Sequence, residues 1–281
     1  MKLVTYGESG QERIGAVAGS EIVDLQSADA SLPSTVLGVI VADAVEAVSR
    51  AVESGAGART PLEGTRLASP IPRPPKIVCV GLNYLDHATE QNVPLPEHPL
   101  LFSKATSSVV GPYDDVVLPA ESEQVDYEVE LAVVIGKTTT AVSEADAYDY
   151  VAGYTVANDV SARDIQFRQQ QWHQGKSYDT FCPMGPWLVT KDEIPDPNAL
   201  AVKLTLNGTV LQDSNTDNLI FNIPTLVSRI SSAMTLLPGD VISTGTPAGV
   251  GVFRDPKILL KAGDYMETWV EGIGTLKNHV R

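Results

Sequence analysis

The stretch that decides the fold is Val125-Asp126-Tyr127-Glu128-Val129-Glu130-Leu131-Ala132-Val133-Val134-Ile135-Gly136. Its β-branched residues and its alternating pattern predict one strand over residues 125–135. Because successive side chains of a strand point to opposite faces, Asp126, Glu128 and Glu130 are predicted to share one face. Same-face neighbours lie about 7 Å apart, so three carboxylates there repel one another unless water or a cation offsets their charge.

A divalent cation is one way to offset that charge. Ala132 and Val134 continue the same face as apolar residues, which indicates that water is excluded nearby. Oxygen ligands without histidine or cysteine favour Mg²⁺ or Mn²⁺, with Ca²⁺ as a non-native occupant. The alternative is a strand with a solvated acidic face, which is common in a chain of formal net charge −15. The stretch alone leaves both interpretations open.

The rest of the chain is predicted to contain many strands and few helices. Residues 150–157 and 265–270 have the composition of strands, and KLTLNGTVLQ predicts a hairpin with Asn207-Gly208 in a two-residue turn. Residues 224–234 are predicted to form a helix that begins with proline. The absence of regular βαβ alternation favours a mixed or antiparallel, β-rich α+β fold over a Rossmann fold or a TIM barrel.

A smaller unit is predicted before the main β region. Residues 55–75 are rich in proline and glycine and have little apolar periodicity, which predicts a linker. Ahead of it, MKLVTY and RIGAVA predict short strands, and the apolar residues between 41 and 52 fall on one helical face. We therefore expect a small N-terminal α+β domain with its linker over residues 1–70 and a catalytic domain over 71–281.

A second group of polar residues follows the strand predicted over 150–157. Asp159 ends that strand, and it is either a further metal ligand or the N-cap of a helix that begins near Ser161. On such a helix Arg163 and Gln166 are three residues apart and share a face. A cation and an amide beside a metal suit a substrate with a carboxylate or keto group, whereas the alternative is an ordinary exposed helix.

His87 and Glu90 form a candidate general base. They follow an apolar strand in GLNYLDHATE, and a helix there places them on one face. A histidine oriented by a carboxylate can take a proton from water, but an H-x-x-E pair is also a common surface ion pair.

Two further loops contain candidate residues. Lys176 is predicted to lie in a loop, where only its location would make it an electrostatic stabiliser rather than a solvated lysine. Thr246 lies in STGTPAGVG, which lacks the lysine of a phosphate-binding P-loop but can bring backbone N–H groups and a hydroxyl to an anion. Cys182 has no adjacent base and is interpreted as a packing residue.

Composition excludes several functional classes. With 20 basic and 35 acidic residues, the surface repels phosphate backbones and anionic lipid, so we expect neither a nucleic-acid nor a membrane partner. The N-terminus shows no apolar segment typical of a secretory signal, and there are only two cysteines. These features predict a protein of the cytoplasm.

Taken together, five motifs resemble those of the fumarylacetoacetate hydrolase family. They are, in order, NYLDHATE, DYEVELAVVIG, YTVANDVSARDIQ, GKSYDTFCPMGPWLV and ISTGTPAGVG. The sequence is most similar to the bacterial acylpyruvases and 2,4-diketo-3-deoxy-sugar-acid hydrolases. The resemblance implies a β-roll around a metal, with a small N-terminal domain, in a homodimer.

The resemblance also implies a role for each matching position. The metal ligands would be Glu128, Glu130 and Asp159; the water-activating dyad His87 and Glu90; the oxyanion-stabilising group Lys176; and the substrate-binding residues Arg163, Gln166 and Thr246. The animal fumarylacetoacetase branch has a further acidic ligand before the histidine, where this chain has VGLN, so fumarylacetoacetate itself is not the expected substrate.

The expected activity is hydrolysis of a carbon–carbon bond in a 2,4-diketo acid, which gives pyruvate and a carboxylic acid. The alternatives are an oxaloacetate-type decarboxylase and a 2-keto acid tautomerase or isomerase, which use the same site. The non-enzymatic alternative is an inactive metal-binding relative, and the presence of both His87 and Glu90 argues against it.

Overall fold

The computed structural model describes residues 1–168 and 170–281. The strands, in chain order, are β1 (Lys2–Tyr6), β2 (Arg13–Ala18), β3 (Glu21–Asp24), β4 (Arg59–Pro61), β5 (Leu67–Ala68), β6 (Ile77–Gly81), β7 (Leu100–Lys104), β8 (Val109–Val110), β9 (Val125–Asp126), β10 (Val129–Ile135), β11 (Val151–Asn158), β12 (Ser161–Ala162), β13 (Cys182–Thr190), β14 (Ala201–Leu206), β15 (Thr209–Asn215), β16 (Val241–Ser243), β17 (Tyr265–Val270) and β18 (Gly274–His279). The α-helices are α1 (Leu25–Ala28), α2 (Val36–Val41), α3 (Val45–Glu53), α4 (Leu85–Gln91), α5 (Arg163–Arg168), α6 (His173–Lys176) and α7 (Ile223–Ala233).

A mixed sheet of twelve strands forms the framework. Its main path has the order β4-β3-β2-β1-β13-β11-β10-β16-β6-β7, and β5 and β8 pair with β1 and β13. Most neighbours are antiparallel, but β16 pairs with β6, and β13 with β8, in parallel. A separate four-stranded sheet has the order β15-β14-β17-β18, and β9 pairs with β12. The expected β-rich α+β roll is therefore confirmed.

The strand β10 is buried on both faces. Val129, Leu131 and Val133 pack into one apolar cluster with the four-stranded sheet and α7, whereas Ala132 and Val134 pack into a second cluster with the N-terminal helices. Glu128 and Glu130, at the start of this strand, are only 5% and 1% exposed, so bulk water does not solvate their carboxylates. The solvated acidic face considered from the sequence is therefore wrong.

The predicted strand over 125–135 is interrupted, and this changes the position of Asp126. Tyr127 and Glu128 separate β9 from β10, and side chains satisfy the backbone there: the Asn158 amide oxygen accepts from Glu128 N–H at 3.0 Å. Asp126 belongs to β9, which pairs with β12, and it lies outside the carboxylate cluster that contains Glu128 and Glu130. Alternation holds only within a continuous strand, so it does not extend across the break to Asp126.

Other predicted elements agree with the structure to within a few residues. The hairpin of β14 and β15 turns at Asn207 and Gly208, whose φ values are 52° and 78°. The helix α7 begins with Pro224 in its first turn, after the Asn222 side chain caps Thr225 N–H. A proline there costs no hydrogen bond, because the first N–H groups of a helix have no partner within it.

The linker interpretation of residues 55–75 needs correction. The segment contributes β4 and β5 to the large sheet, and Leu67 and Ile71 are buried. The N-terminal strand β1 pairs with β13 of the later region, so both regions share one sheet. The division at residue 70 stays a prediction. In the described part of the chain, no helix combines the length and apolar character needed to cross a membrane.

Candidate metal centre and active site

Three carboxylates converge where β10 begins and β11 ends. The strands are antiparallel, with Val129 opposite Asn158, so Glu128 just before β10 lies beside Asp159 just after β11. The Asp159 N–H donates to the Glu128 carbonyl at 2.9 Å and fixes this arrangement. Together with Glu130, these residues offer ligand oxygens that all lie within 4.8 Å of one another. Asp159 precedes the short strand β12 rather than a helix, so the helix-cap alternative is wrong.

Burial makes this carboxylate cluster electrostatically costly. Each of the three residues is at most 5% exposed. Burial, followed by the charges of Asp159 and Glu128, raises the pKa of Glu130 well above its ordinary value. Glu128 is also buried, but Lys176 and Arg163 outweigh that effect and lower its pKa to about 2.

Two lysines and one arginine compensate part of this charge. The Lys176 ammonium donates to Glu128 Oε2 and Asp159 Oδ2, both at 2.8 Å, and Lys104 donates to the other Asp159 oxygen. Arg163 lies 2.7 Å from Glu128 Oε1. Lys176 is buried at the end of the short helix α6, so the prediction of a loop is wrong. Because Gly175 packs tightly against Gln166, with no space for a Cβ, α6 lies directly on α5.

Asp126 is linked to the carboxylate cluster through Arg163. It accepts from Arg163 Nε at 2.9 Å and from the N–H groups of Gly251 and Val252 at 2.8 and 3.0 Å. It therefore orients Arg163 instead of joining the other carboxylates. The second donor of Arg163, Nη1, reaches Gln166 Oε1 at 3.0 Å, so the predicted shared face of Arg163 and Gln166 does form.

The residues fit a divalent cation. Ion pairs join three carboxylates to two lysines and one arginine, and Glu130 lies beside them in no ion pair with the described residues, so the group has one more acidic than basic side chain. Glu130 interacts with the Ser243 hydroxyl and with Gly245 N–H, neither of which brings a positive charge. Three clustered carboxylate oxygens are the donors that Mg²⁺ and Mn²⁺ prefer. Glu128, Glu130 and Asp159 could therefore hold such an ion, and their assignment as ligands stays a prediction.

The candidate base lies beside this cluster because two strands are parallel. The strands β6 and β16 end at the same edge, so the α4 helix after β6 meets the loop after β16. Gly245 allows the close approach: its φ is +101°, and a Cβ there would lie 2.9 Å from the Val80 carbonyl oxygen. The Asn83 amide donates to the Thr244 carbonyl at 2.7 Å and joins the two segments.

His87 and Glu90 form the predicted hydrogen-bonded pair. Glu90 Oε2 lies 2.9 Å from His87 Nδ1, and Glu90 Oε1 accepts from Gly249 N–H at 2.8 Å. A carboxylate at Nδ1 favours the tautomer with its proton there, which leaves Nε2 as an acceptor. The amide of Gln91 lies 2.8 Å from Nε2 and donates to it in that tautomer. The buried His87 ring thus presents a basic nitrogen, as a general base requires.

Thr246 is held by a residue that sequence patterns did not reveal. Gln212 on β15 donates to the Thr246 hydroxyl oxygen at 2.8 Å and accepts from Val129 N–H at 2.9 Å. Because the hydroxyl accepts from Gln212, its own proton is free to donate to an anion. Gln212 therefore connects the start of β10 to the loop that carries Thr246.

A cavity of about 200 Å³ opens over these groups. Its inner end is polar, and its outer end is apolar. The inner end contains His87, Gln91, Glu128, Glu130, Arg163, Gln166, Lys176 and Thr246. The apolar lining residues Val93, Leu100, Phe167 and Phe253 are exposed and form its outer end, whereas Leu82, Phe102 and Trp172 are half-buried and Val80 is buried. The structure thus brings all nine predicted site residues to one region, with Asp159 and Glu90 directly behind the groups that line the cavity.

Lys104 and the aromatic outer wall were also missed from the sequence. Lys104 ends the run LLFSK, and a lysine that ends an apolar strand is the only local signal for its burial. Phe253 packs against His87 at a centroid distance of 6.0 Å, and Phe102 meets Trp172 edge to face at 5.3 Å. The predicted packing role of Cys182 agrees with its complete burial, which raises its pKa to about 12.

Comparison with known proteins agrees with this geometry. Residues 76–281 match the family model described as the C-terminal region of fumarylacetoacetate hydrolase. The human protein named oxaloacetate tautomerase FAHD2A, mitochondrial, is 47% identical over 93% of this chain and 84% of its own length. The fumarylacetoacetate hydrolase structure from Exiguobacterium antarcticum is 36% identical, with a TM-score of 0.87 over 100% of this chain and 99% of its own.

A further solved structure bears on the metal. The maleylpyruvate hydrolase of Sphingobium sp. SYK-6, solved with Mn²⁺ and pyruvate, is 35% identical, with a TM-score of 0.83 over 100% of this chain and 98% of its own. These proteins are named as enzymes of different reaction types, namely tautomerisation and hydrolysis. The family match, the shared fold and the identities above 30% all lead to one assignment. The chain belongs to the fumarylacetoacetate hydrolase family.

Proposed function

We propose that this protein interconverts the keto and enol forms of a 2-keto acid bound beside a divalent cation. The observation that carries the proposal is the acceptor nitrogen of His87, Nε2, because His87 lines the same small cavity as Glu128 and Glu130 of the carboxylate cluster. A magnesium or manganese ion there would polarise the 2-keto oxygen and acidify the protons on C3.

The protein's own groups would carry out the proton transfer. His87 Nε2 removes a proton from C3, and Glu90 stabilises the imidazolium that forms. The 2-oxygen of the enolate then takes up a proton from water to give the enol, the imidazolium returns its proton to water, and ketonisation is the reverse of these steps. Gln91 donates to the same Nε2 lone pair, so its amide must turn away before the proton is taken. The free hydroxyl proton of Thr246 and the donors of Gln166 and Arg163 suit the substrate carboxylate.

Hydrolysis of a 2,4-diketo acid is the second candidate, and the His87–Glu90 pair favours it as well. In that reaction His87 takes a proton from water, which attacks the C4 carbonyl, while Lys176 stabilises the developing oxyanion. The C3–C4 bond then breaks and leaves the enolate of pyruvate and a carboxylic acid. Both reactions share the enolate, and the tautomerase name of a 47% identical relative supports our choice of enolisation as the first candidate. Decarboxylation of oxaloacetate needs no attacking water and is the third candidate.

The test is a panel assay with added Mg²⁺ or Mn²⁺. Purified enzyme is given the enol form of oxaloacetate, the keto form, and acetylpyruvate, and the products are followed by absorbance and by pyruvate release. We expect accelerated ketonisation of the enol, and loss of that acceleration after chelation of the metal or in His87→Ala. Full activity in chelator-treated enzyme would refute the proposal, and pyruvate release from acetylpyruvate alone would favour the second candidate.

Two further predictions concern the assembly and the location of the protein. A homodimer and a location in the cytoplasm are predicted for this chain. The curated relative from Homo sapiens is named as mitochondrial, so the location has a specific alternative. Light scattering of the purified protein and fractionation of its source cells would test these predictions.

A further inference from the structure

The cavity over the carboxylates has two chemically different ends. At the inner end, all cations among the described residues are already paired: Arg163 binds Asp126 and Glu128, and Lys176 binds Glu128 and Asp159. With a divalent cation bound and all four carboxyl groups ionised, the site carries a single positive charge. This net charge can bind one substrate carboxylate, but no unpaired cation remains among the described residues of the inner end for a second carboxylate.

The outer end is apolar and partly open. Leu100, Phe167 and Phe253 line it with 41–55% of their surface exposed, and Trp172 and Phe102 form the wall between them and Lys176. Gly81 makes the wall possible, because a Cβ there would lie only 2.6 Å from the Trp172 ring. Exposed aromatic and aliphatic side chains gathered at a cavity mouth lose unfavourable contact with water when an apolar group covers them.

We infer that the substrate carries an uncharged, apolar group beyond its 2-keto acid head, so that aryl- or alkyl-substituted 2-keto acids are preferred to dicarboxylates. This inference rests on the proposed function, which puts the 2-keto acid head at the inner end. A second carboxylate would lie at the apolar mouth without a cationic partner. Nothing there would offset the free-energy cost of removing it from water. The formal charge of −15 on the chain opposes a dianion further.

Two inert analogues test this preference by binding alone. N-phenyloxamate and N-oxalylglycine share an oxamate head that mimics a 2-keto acid, and neither can enolise. The nitrogen carries a phenyl group in the first and a carboxymethyl group in the second. With Mn²⁺-loaded enzyme, calorimetry should give a Kd for N-phenyloxamate at least about tenfold lower than for N-oxalylglycine. Equal affinities, or tighter binding of N-oxalylglycine, would overturn the inference.

A charge added at the mouth should reverse the preference. In Leu100→Arg the ratio of the two Kd values should move at least about tenfold toward N-oxalylglycine, and Phe167→Arg should act in the same direction if Leu100→Arg fails to fold. Val41→Arg is the matched control, because Val41 is 64% exposed on α2 and is not among the residues that line this cavity. A ratio unchanged in both mouth variants would overturn the inference.

Turnover separates this inference from the proposed function. Phenylpyruvate and oxaloacetate differ only in the group on C3, and both tautomerise. Ketonisation of both enols with a larger kcat/KM for phenylpyruvate supports the proposed function and the apolar preference. A larger kcat/KM for oxaloacetate overturns only the apolar preference. If neither enol is turned over and neither analogue binds, the proposed function fails, and the inference fails with it.

Discussion

Replacement of Glu90 by glutamine tests how the base is oriented. The carboxylate accepts from His87 Nδ1 at 2.9 Å and from Gly249 N–H at 2.8 Å, so it uses both oxygens as acceptors. Glutamine has one oxygen and one NH₂ group and can satisfy only one of these donors. If its NH₂ faces the ring, Nδ1 becomes the acceptor and the proton moves to Nε2, which can then no longer act as a base. A positioned general base contributes about 10²–10⁴ in rate, and we expect a loss of kcat in that range.

Asp86→Asn is the matched control for this variant. Asp86 lies one turn earlier on α4, accepts from the Ser214 hydroxyl at 2.6 Å and from Ala248 N–H at 3.3 Å, and does not bond to His87. We expect its kcat to stay within about threefold of the parent value. The assay is ketonisation of a 2-keto acid enol at saturating Mn²⁺, with the Kd for Mn²⁺ measured in parallel. An equal loss in the two variants would show that α4 is merely displaced, and a fully active Glu90→Gln would refute the assignment of the base.

Three other variants or conditions probe the metal centre and the segment above it. Glu128→Gln should weaken Mn²⁺ binding at least about tenfold in calorimetry while the circular dichroism spectrum is retained, and unchanged affinity would remove Glu128 from the ligand set. Lys104→Met removes one of the two lysines that pair with the buried Asp159 carboxylate. In the presence of chelator the free energy of unfolding should therefore fall by about 3–5 kcal/mol, and added Mn²⁺ should restore part of it. Denaturant titration with chelator and with Mn²⁺ measures the two values. Residues 84–99, with three prolines and both dyad residues, should gain hydrogen-exchange protection when oxalate binds, and equal protection with and without oxalate contradicts a lid.

Much of the site could be predicted because its residues lie in short contiguous motifs. His87 and Glu90 are three residues apart on one helix, and this local spacing alone is sufficient to predict their contact. The hairpin at Asn207 and Gly208 is similarly local, since two positive φ values suit few residue pairs. Where local geometry determines the outcome, the sequence prediction and the structure agree.

The failures occur where a distant segment determines the outcome. The break before β10 depends on Asn158 and Gln212, which satisfy the backbone N–H groups of Glu128 and Val129 from other strands. Nothing within residues 125–135 records those partners, so unbroken alternation was the natural prediction. Lys104 was missed for the same reason: its burial follows from Asp159, which is 55 positions away in the chain.

The clustered carboxylates and the proton-transfer residue of the site lie on different structural elements. Glu128, Glu130 and Asp159 lie where β10 begins and β11 ends, and both strands are buried on both faces and therefore rigid. His87 lies on the seven-residue helix α4. This helix is held to the loop at residues 248–249 because Asp86 accepts from Ala248 N–H and Glu90 accepts from Gly249 N–H. Glu90 thus both orients the base and anchors its helix, so movement of α4 away from that loop also breaks the orientation of His87. Enolisation needs this base at C3 and hydrolysis needs it at a water, so the two reactions differ in the atom that the same nitrogen must reach beside the same charged centre.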